Sequence, residues 1–409
     1  MAATADITLK DMTIDNYTAN TGGGALQLGA GWGATYFENP ITVNLENILF
    51  VNNQAGTSGG AVRLNESRNT TTRSVANIKE CLFYDNTSTG SGGALYGYEH
   101  WNVTIENSVF VDNICNSRGG AYYHGDGWTN MSGDAGPIIT IKNSTIYRNL
   151  GKNTSGTNGG GVRVYSAGGV EGDNIQLNIY NSIVYANVIN QADWGWIGWT
   201  LQNYGYDINW FGADYIDLDV RNTIYYHMPS TSGLNSATLS NNDVGDSADL
   251  YVIWPSISGA KKNMHITSAS GNQVGDINAP YSAQVTSKDV NGVDRPQGAQ
   301  VDGGAYEYRN TWTGAVSTAW NVAENWSFGI LPDVDDADNN APVIPDLTGI
   351  SNAPIISTNV EIDHLWIYGD LDSDETKGSL TIAKNGSLKI TGKLINDGTL
   401  ILQSDKSNF

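Results

Sequence analysis

One phrase returns along the chain. "FVNNQAGTSGGAV" spans Phe50 to Val62, "FYDNTSTGSGGAL" spans Phe83 to Leu95, and "FVDNICNSRGGAY" spans Phe110 to Tyr122. Each holds a large apolar residue, an Asn shortly after it, and Gly-Gly-Ala followed by a second apolar residue. Less complete copies begin at Ile14, Ile146, Val184 and Tyr225. An internal repeat constrains the fold more than composition does. Each copy must be one unit that buries its apolar face against its neighbours.

A short alternating segment precedes each phrase. Ile41, Val43 and Leu45 alternate in "ITVNLEN", Val103 and Ile105 in "WNVTIEN", Ile139 and Ile141 in "IITIKN", Leu177 and Ile179 in "LNIYN", and Leu218 and Val220 in "LDVRN". Period two means strand. Asn47, Asn107, Asn143, Asn181 and Asn222 close these strands, and Asn53, Asn86, Asn113, Asn149 and Asn187 follow the large residue. The intervals between copies differ, and the extra length falls in loops. These features predict an all-β chain folded as a right-handed parallel β-helix, with one rung per copy. Rungs stack about 4.8 Å apart, so equivalent residues form columns. The large residue is then core, the Asn a turn ladder, and the Gly pair a corner that needs positive φ or close backbone approach.

The paired F-x-x-N and G-G-A signatures, over about residues 7–226, resemble the repeats of polymorphic outer membrane proteins. The resemblance implies a surface adhesin of autotransporter type. "KDVNGVDRPQGAQVDGGAYEY", Lys288 to Tyr308, is similar to the closing segment of choice-of-anchor Q domains, through Asp289, Gly292, Arg295, Asp302, Gly304, Ala305, Tyr306 and Glu307. That likeness implies a strand ending the helix. "TWTGAVSTAWNVAENWSFGILP" then resembles a recurrent opening in large secreted proteins of Gram-negative bacteria. Asn-Gly, Gly-Ser and Asp-Gly turns in "GSLTIAKNGSLKITGKLINDGTLIL" split short strands, as in a tighter solenoid. The expected division is a β-helix over 1–309 and a second β-rich module over 310–409.

Charge narrows the partners. The 409 residues carry 21 Lys and Arg against 42 Asp and Glu, a net charge of -21. That balance disfavours nucleic acid and anionic lipid, and leaves cations, neutral glycans and proteins open. Cys81 and Cys115 hold different repeat positions, so no disulfide framework or metal spacing follows. No apolar run is long enough for a membrane helix, and the first residues lack a signal-peptide pattern. The expectation is a piece of a larger extracellular or outer-membrane-associated protein, with export and anchoring signals elsewhere.

The candidate ligand site lies after the glycine pairs. With Leu26, Val62, Leu95, Tyr122 and Val162 inward, the next residues form an outward column: Gln27, Arg63, Tyr96, Tyr123 and Arg163. Aromatic faces stack on sugar rings, and Arg bonds hydroxyls and carboxylates. An ordinary solvent-facing column gives the same pattern. Loops rich in aromatics follow, with Trp32, Tyr36, Phe37, Tyr98, His100, Trp101, His124 and Trp128. An insertion adds Trp194, Trp196, Trp199, Trp210 and Phe211. Either a recognition surface or a cover for the interior accounts for it. Asp333, Asp335, Asp336 and Asp338 form the calcium candidate, without EF-hand spacing; no other cofactor is implied. Carboxylate pairs and bases for sugar chemistry are scattered: Asp214, Asp217 and Asp219 alternate without a base, and His124 and Asp126 read as loop groups. The sequence therefore points to a noncatalytic β-helix adhesin, stalk or scaffold that binds a polysaccharide, a cell-surface glycan or a protein. A carbohydrate-active enzyme and a structural subunit of a surface assembly are the alternatives.

Overall fold

The computed structural model describes residues 5–29, 40–65, 73–98, 101–126, 136–152, 159–166, 174–185, 187, 206–225, 228–240, 242–244, 252–253, 265–266, 284–296, 302–337, 339–368 and 378–403. The chain groups into two compact units. One comprises Met1–Asp249, Ile277–Thr286 and Gly303–Tyr306; the other comprises Leu250–Asp276, Ser287–Asp302 and Glu307–Phe409.

The first unit is a stack of parallel strands. A rung has four strand positions, here a to d. In the fourth rung they are Trp101–Glu106, Val109–Val111, Ile114–Cys115 and Tyr122–Asp126. Each pairs in parallel with its equivalent in the third rung: Ser74–Lys79, Leu82–Tyr84, Thr87–Ser88 and Leu95–Tyr98. This is the parallel β-helix expected from the repeat. The large residues form one column through successive register pairs, Ile14 with Phe50, Phe50 with Phe83, Phe83 with Phe110, Phe110 with Ile146, Ile146 with Val184 and Val184 with Tyr225. Its Phe rings stack face to face, 4.7 Å between Phe50 and Phe83 and 4.4 Å between Phe83 and Phe110. All three are fully buried. Each such side chain contributes roughly 1.5–3 kcal/mol.

The corners explain the polar letters of the repeat. The a-to-b corner needs a left-handed residue, and Asn47, Asn107, Asn143, Asn181 and Asn222 have φ of 51, 46, 46, 48 and 49°. Asn pays less than other residues for that conformation. A serine follows three of them, Asn107, Asn143 and Asn181, and its hydroxyl takes the N–H of the rung before: Cys81 N to Ser108 Oγ, Ser108 N to Ser144 Oγ, Ser144 N to Ser182 Oγ. At the b-to-c corner the second Asn forms an internal ladder. Nδ2 of Asn53, Asn86, Asn113 and Asn149 donates to Oδ1 of the next rung's Asn at 2.8–2.9 Å. The ladder ends where Asn187 donates to Asp207 Oδ1.

The two glycines of each pair do different work. The first, Gly23, Gly59, Gly92 or Gly119, has φ between 67 and 73°. The second has no room for a side chain: a Cβ on Gly93 would lie 2.1 Å from the Gly120 carbonyl oxygen.

The late segments of this unit return to the a-to-b corner. Asn143 Nδ2 donates to the Gln284 carbonyl, Thr286 Oγ1 to Asn107 Oδ1, and the Gly304 and Ala305 N–H groups to the Asn181 carbonyl and Thr145 Oγ1. Among the described residues of 287–308 no strand forms, so the expected helix-ending strand is a turn. The reason is its charge network, which belongs to the second unit. Asp289 Oδ1 accepts the N–H of Asn291 and Val293, and Arg295 meets Glu307 at 2.5 Å with both side chains fully buried.

The second unit is also built of parallel pairs. Val343–Ile344 pairs with Leu365–Ile367 and that with Leu394–Asn396, while Ile355–Ile356, Ser379–Ile382 and Thr399–Leu402 stack likewise. Trp312, Trp320 and Trp326 pack edge to face beside Ile344, Ile356, Leu365 and Leu380. Buried Asn325 ties their loop, accepting the N–H of Val316 and Ser317 and donating to Ser317 Oγ and the Ala319 carbonyl.

Replacing Asn113 by Ala removes a side chain that accepts from Asn86 and donates to the Phe83 carbonyl and to Asn149. Asn44, partly exposed and bonded to Thr8 and Asn77, is the control. Urea unfolding of Asn113→Ala should lose about 3 kcal/mol or more, because buried partners are left unsatisfied. Asn44→Ala should stay within about 0.5 kcal/mol.

Candidate functional site

The d strands are fed by the glycine corners, and each corner fixes which residue points outward. Leu26, Val62, Leu95, Tyr122 and Val162 form the inward column. Val62, Leu95, Tyr122 and Val162 are fully buried. Their successors Gln27, Arg63, Tyr96, Tyr123 and Arg163 are register partners in turn, and Asn209 extends the column. The five candidates named from sequence therefore lie in one row.

The row is a continuous stack. Arg63 Cζ lies 5.4 Å from the Tyr96 ring centre, and Tyr96 is parallel to Tyr123 at 5.4 Å. Arg63 lies across Gly22 of the previous rung, where a Cβ would meet its Cδ at 2.1 Å, and donates to Thr57 Oγ1. Exposure is graded: Gln27 is open, Arg63 and Tyr96 are half-buried, but Tyr123 is 8% and Arg163 1% exposed. The expected fully exposed row thus sinks into the protein at its far end. Arg163 donates to Asn209 Oδ1 there.

Burial, with help from the positive charge of Arg118, pushes the Arg163 guanidinium down to about 10. Burial likewise raises the Tyr123 hydroxyl, against the pull of the nearby positive groups of Arg163 and Arg118.

A second outward row runs beside the first, two residues on. Tyr98, Gly125, Tyr165 and Phe211 are register partners. Tyr98 is parallel to Tyr96 at 6.2 Å, and Tyr165 stacks on Phe211 at 5.2 Å. Phe211 is 54% exposed. The sequence reading missed Tyr165 and Arg118 and left Tyr98 in a loop. Period two finds Tyr98 and Tyr165, which follow Tyr96 and Arg163 by two; nothing in the repeat marks Arg118.

Several aromatic assignments change. Trp101 opens strand a of the fourth rung, fully buried, and donates to the Asn65 carbonyl. His124 is an inward strand residue, not a loop group; it is fully buried and bonded to the Tyr122 hydroxyl at 2.8 Å. Gly97 makes room for it, since a Cβ there would meet His124 Nδ1 at 2.5 Å. Tyr206–Phe211, read as part of an insertion, is the d strand of the sixth rung, with Trp210 turned inward. Trp32, Tyr36, Phe37, His100, Trp128, Trp194, Trp196 and Trp199 lie outside the described residues.

The other candidates do not assemble. Asp333, Asp335 and Asp336 are exposed and organise a turn, with Asp333 Oδ1 accepting the Asp335 N–H. Asp338 lies outside the described residues, among which no group of three His, Cys, Asp or Glu could hold a metal ion. Asp219 pairs with Arg221 at 2.6 Å, and Asp217 accepts from Asn174, Asn235 and Ser236. Cys81 and Cys115 are buried thiols, Cys81 Sγ donating to the Leu45 and Lys79 carbonyls, and burial pushes the Cys115 thiol up to about 12.

Residues 80–98 match the model of the Chlamydia polymorphic membrane protein repeat. The matched segment runs from the corner before strand b of the third rung through Gly92-Gly93 to Tyr96 and Tyr98. One copy of the repeat thus contains core, ladder, corner and both outward tyrosines. No curated protein and no solved structure matches the chain.

One titrating group stands out beside the ladder. Asp112 holds the left-handed corner position, with φ 57°. Burial pushes its carboxyl up to about 7; Arg148, 3.4 Å away, pulls it down, and Asp85 pushes it up. A raised carboxyl binds a proton in the folded chain that the unfolded chain releases. Its contribution to stability therefore falls as pH rises from about 4 to about 7. Asp112→Asn should melt close to the parent at about pH 4 and several degrees above it at about pH 8, read by circular dichroism.

Proposed function

We propose that the chain is a noncatalytic binding module of a bacterial cell-surface β-helix protein, and that its d-face holds a polysaccharide or a cell-surface glycan. The observation that carries this is the register stack of Arg63, Tyr96 and Tyr123, with Tyr98, Tyr165 and Phe211 alongside. Stacked rings on a rigid sheet offer area at little entropic cost, which suits a ligand that is itself a row of rings. The repeat match at 80–98 supports a surface or outer-membrane setting and an adhesin-like role. The scattered acids support binding over turnover, because sugar cleavage needs two carboxylates or a base placed together.

Titration of immobilised glycans with the full chain tests this. The parent should bind, and Tyr96→Ala with Tyr98→Ala should weaken binding about tenfold or more, given roughly 1–3 kcal/mol lost per stacked ring. Melting curves should be unchanged, since both side chains are partly exposed. Release of reducing ends or unsaturated sugars, abolished by Arg63→Gln with Tyr96→Ala, would replace the scaffold with an enzyme. A blank array together with capture of a single protein partner would make it a structural subunit.

A further inference from the structure

We infer that the d-face takes a polyanionic glycan, one bearing carboxylates or sulfates along its length, rather than a neutral one. This rests on the glycan reading above and names the chemistry of the same site. The observation is a segregation of charge that the overall balance hides. The chain carries twice as many acids as bases. Yet the stretches Thr18–Leu28, Gln54–Leu64, Thr87–Tyr98, Ile114–Gly125 and Leu150–Ser166, which run from strand c into strand d of five successive rungs, contain no Asp or Glu. They contain Arg63, Arg118, Lys152 and Arg163. Acids resume at Glu66 and Glu99 after strand d of the second and third rungs, at Asp126, the last residue of strand d in the fourth, and at buried Asp207 in strand d of the sixth.

The cations are also placed differently from those on strand a. There, cross-rung pairs neutralise them: Lys10 with Glu46 at 3.6 Å, Lys142 with Glu106 at 2.9 Å, and Lys79 with Glu106 at 3.7 Å. On the d-face the cations meet tyrosines and neutral polar groups. Arg63 meets Tyr96 and Thr57, Arg118 lies beside Tyr123, and Arg163 bonds Asn209. Arg118 is near enough to Arg163 to raise the cost of the Arg163 charge. An anion bound between rings and guanidiniums relieves that repulsion and gains charge-assisted hydrogen bonds. Tyr98, whose register partner in the next rung is Gly125, and the exposed Phe211 supply ring surface for the sugars between the anionic groups. A strip of this kind suits one extended sugar chain. Duplex DNA carries a charge about every 1.7 Å and needs a broad basic surface, which a chain of net charge -21 does not offer.

The test is calorimetric titration of the full chain with heparin, polygalacturonate, dextran and a short DNA duplex, at low and high salt. Heparin or polygalacturonate should bind, and whichever is tighter shows whether sulfate or carboxylate is preferred. Dextran should be weaker by about tenfold or more, and the anionic affinity should fall as salt rises. Arg63→Gln and Arg118→Gln should each cost about tenfold, the worth of a charged hydrogen bond. Arg63→Lys should keep much of the affinity, Lys10→Gln on strand a should change nothing, and melting should confirm that each variant folds.

Dextran binding as tightly as the acids, lost in Tyr96→Ala but not in Arg63→Gln, would overturn the anionic assignment and leave the glycan reading standing. DNA binding as tightly as heparin would overturn the choice of a glycan. No binding to any sugar would overturn both.

Discussion

Parallel stacking leaves a backbone N–H and carbonyl exposed at every corner of every rung, and these groups must be satisfied inside the protein. The Asn ladder meets that need at the b-to-c corner. Asn113, for example, takes a backbone N–H and an amide from Asn86 of the rung before, then donates back to the Phe83 carbonyl of that rung and onward to Asn149. Buried polar groups are tolerated only when paired in this way. The ladder also fixes the register, because a slip by one residue would bring Leu49 or Val51 into the Phe column and move Asn53 off its partner Asn86. The Phe stack, the glycine corners and the outward rows on strand d all depend on it.

The surface follows from the same register. Once Gly92 and Gly93 set the corner, Leu95 must point in and Tyr96 out. The next rung repeats this with Tyr122 and Tyr123, and the two tyrosines meet ring to ring. Rows of like groups are therefore a consequence of the fold and not a separate invention. Selection can act on one outward position at a time while the corners stay unchanged. Carboxylates occupy such positions on strand a and are missing from the outward row of Gln27, Arg63, Tyr96, Tyr123 and Arg163 on strand d. The local charge of a face thus decouples from the charge of the whole chain.

Much of this was legible in the sequence. The large residues, both sets of Asn, the glycine pairs and the row from Gln27 to Arg163 were placed correctly, because each obeys a period the stack enforces. The misreadings share a cause. Trp101, His124 and Tyr206–Phe211 were assigned to loops since polar or glycine neighbours mask their alternation. The 288–308 segment looked like a strand, but its described residues form turns, with Asp289 and Arg295 held in buried ion pairs. Burial of Arg163 was not visible either, since exposure along a column depends on neighbouring chain and not on the period. The basic strip needed the rungs aligned first. Counted along the chain, Arg63, Arg118 and Arg163 are isolated cations in an acidic protein.

The register of the outward row is the claim on which the rest stands, and cross-linking measures it directly. Tyr96 and Tyr123 are paired across adjacent rungs, and Cys81 and Cys115 are buried and so do not compete. Paired neighbours in a sheet lie about 4.8 Å apart, within disulfide reach, whereas a two-residue offset places them beyond about 7 Å. Mild oxidation of the Tyr96→Cys, Tyr123→Cys double variant should give an internal disulfide, seen by mass spectrometry. The Tyr98→Cys, Tyr123→Cys variant should stay reduced. Cross-linking of the second variant and not the first would contradict the register, and with it the binding face.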